Sequence, residues 1–144
     1  TAMEKGYDAG KKVSGIKRHI AVDTQGLPHA LAVTTADVTD RKGRLPALER
    51  ERDNPGAVQK VLADGGYTGK AFASSVQELI GTEVEIAKRN ELHRFKVLPK
   101  WWVVERSFSR PEKNRRLWKN CGRKLSTSLQ MMVLAFLGVL LRRL

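Results

Sequence analysis

The chain has 144 residues, of which 41% are hydrophobic, enough for a single domain with a modest core. Its formal net charge of +12 and sequence pI near 10.3 exclude an acidic, polyanion-repelling surface. They point to nucleic-acid phosphates, with a merely soluble basic domain as the plain alternative. A single cysteine, Cys121, excludes a disulfide framework and zinc-finger spacing, and so favours a reducing, intracellular setting.

The opening Thr1-Ala2-Met3-Glu4-Lys5 is no signal peptide. Because it does not begin with Met, an excised piece or a partial reading frame is expected. Residues 1–15, with Gly6, Gly10 and Gly15 among charges, read as an exposed loop. Ile16 to Asp23 has alternating, β-branched character and reads as a strand. Thr24 to Pro28 is a turn, and His29 to Thr35 returns as the second strand of a hairpin. A helix with Asp40 as N-cap and Leu45 and Leu48 on its apolar face extends to Arg52, before Asp53-Asn54-Pro55-Gly56 breaks it.

A short strand over Val58–Ala63 ends in Asp64-Gly65-Gly66-Tyr67, and a helix follows over about 69–80. Thr82 to Ala87 alternates as a strand, and Lys88 to Lys100 is a basic loop. A long helix is expected from Trp101 to Asn120, and an apolar terminal helix from about Thr127. The run Met131–Leu141 is too short for a bilayer, which needs roughly 20 apolar residues, so a buried helix and no membrane partner are expected. The order predicts an α/β domain: a mixed sheet with helices packed on it.

Two carboxylates stand out. Asp64 closes an apolar strand, and the glycines after it leave its side chain uncovered; Asp-Gly is equally a plain turn dipeptide. Glu105 lies on the long helix, on a face with Ser109, Glu112 and Arg116. That face is next to an apolar stripe of Trp101, Val104, Phe108 and Pro111. Alone, Glu105 fits a solvated glutamate paired with Ser109 or an arginine. Together the two suit a hard cation, because Mg²⁺ binds through one or two carboxylates plus substrate phosphate oxygens.

Basic residues surround them. Lys88, Arg89, Arg94, Lys96 and Lys100 lead to Arg106, Lys113, Arg115, Arg116 and Lys119. They form either a phosphate-tracking surface or ordinary solubilising charge. His19 and His93 lack ligand or nucleophile spacing and read as structural or DNA-contacting.

These motifs carry a resemblance. The segments Gly6-Tyr7-Asp8-Ala9-Gly10-Lys11-Lys12, Lys17 to Thr24, Ala36 to Arg41, Ala63 to Tyr67, Leu98 to Lys100 and Trp102 to Phe108 occur in order. Over nearly its whole length the chain resembles bacterial insertion-sequence transposases of the IS5 group, within the IS4-like DDE family. The resemblance implies an RNase H-like fold and a triad of two Asp and one Glu holding Mg²⁺ or Mn²⁺, two ions in the complete enzyme. It implies that Asp64 and Glu105 are catalytic metal ligands. It places the first Asp on a strand upstream of Thr1, so that neither Asp8 nor Asp23 is that residue.

On this reading residues 1–144 are an N-terminally truncated catalytic domain: a loop over 1–15, a core over 16–121 and a terminal helix over 126–144. The parent protein would cut and join DNA at insertion-sequence ends. DNA contacts are expected from Lys88, Arg89, Lys100, Arg106, Lys113 and Arg116. The expected partners are element ends, target DNA, and a second copy or a full-length transposase, in the bacterial cytoplasm at the nucleoid. The chain itself is expected to be catalytically incomplete. A non-catalytic DNA-binding fragment and a generic basic RNA-binding protein are the other readings. Trp101, Arg110, Pro111 and Gly122 depart from the family pattern. Pro111 is expected to kink the long helix, at about 3 kcal/mol for a proline in a helix interior.

Overall fold

The computed structural model describes residues 4–49, 58–64, 70–87, 101–118 and 122–142. The first strands are β1 (Gly6–Asp8), β2 (Val13–Val22) and β3 (Pro28–Thr35), joined in the order β1-β2-β3 as an antiparallel sheet. Helix α1 (Asp40–Glu49) follows. Strand β4 (Val61–Asp64), helix α2 (Lys70–Ile80) and strand β5 (Val84–Ala87) then form a β-α-β unit whose strands pair in parallel. Helices α3 (Trp101–Glu112), α4 (Arg115–Trp118) and α5 (Leu125–Leu141) complete the chain.

The alternation of β2 and β3 sorts their side chains into two layers. Ile20 and Leu31 are register partners, and both join a core with Leu117, Met132 and Phe136 from α4 and α5. The opposite face is made small by Ala21, Ala30 and Ala32, and there α1 packs through Ala47. Gly43 of α1 lies so close to the sheet that a Cβ on it would come within 2.3 Å of His19 Nε2. Only glycine permits that approach. His19 is 4% exposed, and its Nε2 lies 2.9 Å from Thr34 Oγ1, so it serves the structure of the sheet. Leu48, near the end of α1, reaches a second core with Ala63, Phe72, Val76 and Ile80. Helix α1 is thus the element shared between the antiparallel and parallel sheets.

Several expectations change. The loop expected over 1–15 contains a hairpin: Gly6, Tyr7 and Asp8 pair with Gly15, Ser14 and Val13. Three residues without apolar alternation leave no periodic trace. The hairpin is organised by polar chemistry instead. Asp8 Oδ1 accepts hydrogen bonds from the backbone N–H of Gly10 and Lys11, and Asp8 Oδ2 lies 2.9 Å from Lys17 Nζ. Asp40 is the first residue of α1 rather than its cap, because the Gly43 N–H already bonds the Thr39 carbonyl. Asp40 instead faces Lys17 at 3.5 Å.

The single mixed sheet is replaced by two sheets, because no strand among the described residues lies between β2 and β4. The helix expected over 101–120 is divided at Lys113-Asn114. Pro111 is buried in the last turn of α3, where its ring has no N–H to give the ladder, and α3 stops one residue later. Asn114 then restarts the helix: its Oδ1 accepts the Arg116 N–H, and its carbonyl accepts those of Leu117 and Trp118.

Candidate functional site

Asp64 is the last residue of β4, paired in register with Ala87 of β5. The strand is held from below by Ala63, 5% exposed within the Leu48–Val76 core. A strand end of this kind is where open α/β sheets present reactive groups. The Asp64 side chain and the Gly65-Gly66-Tyr67 that follows lie outside the described residues.

Glu105 is fixed by the opposite side of its helix. Along α3 the buried residues are Val103, Ser107 and Pro111, with Val104 and Phe108 half-buried. This is a stripe rotated from the one the apolar residues suggest. Sequence reasoning missed Ser107 because it is polar. Its hydroxyl oxygen lies 2.7 Å from the Val103 carbonyl and 3.1 Å from the Gly26 carbonyl, which makes burial affordable. Gly26 belongs to the β2–β3 turn. That turn is shaped by Asp23, whose Oδ1 accepts the Gln25 and Leu27 N–H groups.

Gly26 has a φ of 78°, and a Cβ there would meet Ser107 Oγ at 2.8 Å, so the turn and the helix fit only with glycine between them. The result is a helix clamped to a hairpin turn, with Glu105 on its exposed side. Among the described residues Glu105 makes no hydrogen bond or ion pair. Ser109, its expected partner, donates instead to the Arg106 carbonyl. Asp8 and Asp23, set aside as catalytic residues on sequence grounds, are both occupied by turn formation.

Of the expected DNA-contacting residues, Arg106, Lys113 and Arg116 are exposed on α3, the turn after it and α4. The Arg106 guanidinium sits 5.5 Å from the centre of the exposed Trp102 ring, a cation–π contact that holds a cation one residue from Glu105. Lys88, Arg89 and Lys100 lie outside the described residues, as do His93 and Cys121.

One basic residue has turned inward. Arg18 donates through Nη2 to the Leu117 carbonyl at 2.5 Å, tying β2 to the end of α4. Its burial pulls the guanidinium below its ordinary value, which the charge of Glu112 opposes. Alternation along β2 was the only signal that could have shown this, since Arg18 falls on the Ile20 face.

Carboxylate oxygens are the right donors for a hard divalent cation, and Asp64 and Glu105 fit by type. Among the described residues no three His, Cys, Asp or Glu side chains come together. The described side chains therefore do not assemble a complete cation site by themselves. No helix among them is long and apolar enough to cross a membrane.

Comparison with known proteins bears on these motifs. The model of the family described as "Transposase DDE domain" matches residues 1–141. A Burkholderia cepacia protein assigned as the transposase of insertion sequence element IS402 is 33% identical over 110 residues. The match covers 72% of this chain and 52% of the relative, so the chain spans about half the length of that protein. No solved structure matches the chain. A family model that matches almost the whole sequence places this chain in the DDE-type transposase family.

Proposed function

We propose that this chain is part of the catalytic domain of an IS5-group insertion-sequence transposase, and that it acts on DNA. The observation that carries the reading is the family match over residues 1–141, which includes both Asp64 and Glu105. The excess of Lys and Arg supports DNA as the substrate. Asp64 and Glu105 are the two carboxylates that would hold divalent cations, Mg²⁺ or Mn²⁺, two of them in the complete enzyme. When bound, such ions lower the pKa of an attacking water and stabilise the leaving oxygen. The chain's own contribution is positional. Strand β4 carries Asp64, the Ser107–Gly26 clamp fixes the helix that carries Glu105, and Arg106 keeps positive charge beside it.

The fold is read as RNase H-like, with one strand more than is described. Among the described residues β2 pairs with β1 over Val13–Gly15, and no strand pairs with that edge over Ile16–Val22. Among the described residues β4 pairs only with β5. Helix α1 already spans both sheets. A strand seated between β2 and β4 would merge them into one mixed sheet and bring a third carboxylate next to Asp64. With Asp64 and Glu105 as its two assigned carboxylates, the isolated chain is expected to bind DNA without cutting it.

The test is a nicking assay on supercoiled DNA with Mg²⁺ or Mn²⁺, run beside a DNA-binding assay. Duplex binding without metal-dependent cleavage is the expected result. Cleavage that survives Asp64→Asn would overturn the site. RNA bound more tightly than DNA at matched salt would favour a generic RNA-binding protein instead.

A further inference from the structure

Helices α4 and α5 flank an open cleft of about 490 Å³, lined by Arg115, Arg116, Gly122, Thr127, Ser128 and Met131. No acidic residue lines it among the described residues. We propose that this cleft seats a phosphate of the DNA backbone, gripped by the guanidinium groups of Arg115 and Arg116 and by the Thr127 hydroxyl. The proposal rests on the DNA-binding reading above and adds a specific place to it.

Three observations carry it. First, α4 is a single turn that cannot slide. Asn114 caps its start, Leu117 is 1% exposed in the core beneath it, and Arg18 binds its last buried carbonyl. With Leu117 turned inward, Arg115 and Arg116 are both exposed. Second, neither arginine has an ion pair or a side-chain hydrogen bond among the described residues, so both forks are available to an anion. Two planar forks beside a hydroxyl match the tetrahedral oxygens of a phosphodiester. Third, the surrounding sequence is strongly basic, with Lys113, Lys119, Arg123 and Lys124 against Glu112 as the one acid from Arg106 to Lys124. The seat does not depend on the end of α5, because its first N–H is already taken by Glu4 Oε2 at 2.7 Å.

The test compares two matched pairs of charge removals in the full chain. Arg115→Gln with Arg116→Gln empties the cleft of charge. Lys11→Gln with Lys12→Gln removes the same charge from the exposed β1–β2 turn. Binding to a labelled duplex is titrated at several salt concentrations, and thermal melting confirms that each variant is folded. The cleft pair is expected to weaken binding about tenfold or more and to reduce the salt slope by about one. The turn pair should change affinity only about two- to threefold, the general effect of lowering net charge. Thr127→Val, which changes no charge, should weaken binding measurably while leaving the salt slope unchanged. Equal losses from the two arginine and lysine pairs, with Thr127→Val silent, would overturn the cleft and leave the DNA-binding reading standing. Failure of the unmodified chain to bind DNA would overturn both.

Discussion

At the scale of single residues, polar groups decide the shape around the site. Lys17 joins Asp8 at 2.9 Å, Asp40 at 3.5 Å and the Val38 carbonyl at 3.0 Å, tying the β1–β2 hairpin to the start of α1. The Lys17 hydrogen bond, with help from the turn's backbone, holds the Asp8 carboxyl below its ordinary value, and Asp8 in turn raises Lys17. The signs set the pH dependence. The lowered Asp8 stabilises the fold above the unfolded carboxylate value of about 3.9 and loses that contribution as pH falls through its folded value. The raised Lys17 contributes fully below about 10.4 and loses its share as pH rises through its folded value. Melting curves of Lys17→Met should therefore lie below those of the unmodified chain at neutral pH, with the gap closing in acid. A gap that widens below about pH 4 would contradict the assignment. The Gly26–Ser107 contact is the other residue-scale hinge. Gly26→Ala should cost about 1–3 kcal/mol in denaturant unfolding, from positive φ and the close approach to Ser107 together.

At the scale of elements, α3 and α4 show what a sequence pattern conveys and where it stops. Most of the elements were legible: the β2–β3 hairpin, the β-α-β unit around α2 and the apolar α5 follow alternation and helical spacing within a few residues. Hairpin β1 was not legible, because its register comes from the Asp8 turn and Lys17, neither of which leaves an apolar period. The face that α3 buries was mistaken for a related reason, since Ser107 replaces an apolar residue in the stripe and recovers its burial cost through two carbonyls. Pro111 was recognised as a breaker, but its place in the last turn makes it a boundary between two helices rather than a kink within one. Pro111→Leu should restore an N–H within reach of the Ser107 carbonyl and stabilise the chain by about 1–3 kcal/mol, read as a rise of several degrees in melting temperature. An unchanged or lower value would show that the break at Asn114 sets the boundary alone. Truncation beneath α4 should act in the other direction. Leu117→Ala removes a side chain that is 1% exposed and should cost about 2–5 kcal/mol.

At the scale of the whole molecule, charge and motif order point the same way. A chain with net charge +12 is suited to phosphate, and the family match over residues 1–141 places it among proteins of the DDE transposase type. Of the site, the strand-end place of Asp64 and the helical place of Glu105 could be read from local sequence. Their proposed pairing could not, because the spacing of two carboxylates some forty positions apart carries little information and the pairing rests on resemblance. Among the described residues two separate sheets are joined through α1, which packs on the hairpin face and reaches the core of the β-α-β unit. The proposed pairing of Asp64 and Glu105 on a divalent cation is tested most directly by Mn²⁺ binding by the chain in the presence of duplex DNA. Asp64→Asn and Glu105→Gln should each weaken Mn²⁺ at least about tenfold while leaving DNA affinity in place, the loss expected when a charged ligand to a hard cation is neutralised. Mn²⁺ binding unchanged in both variants would contradict it.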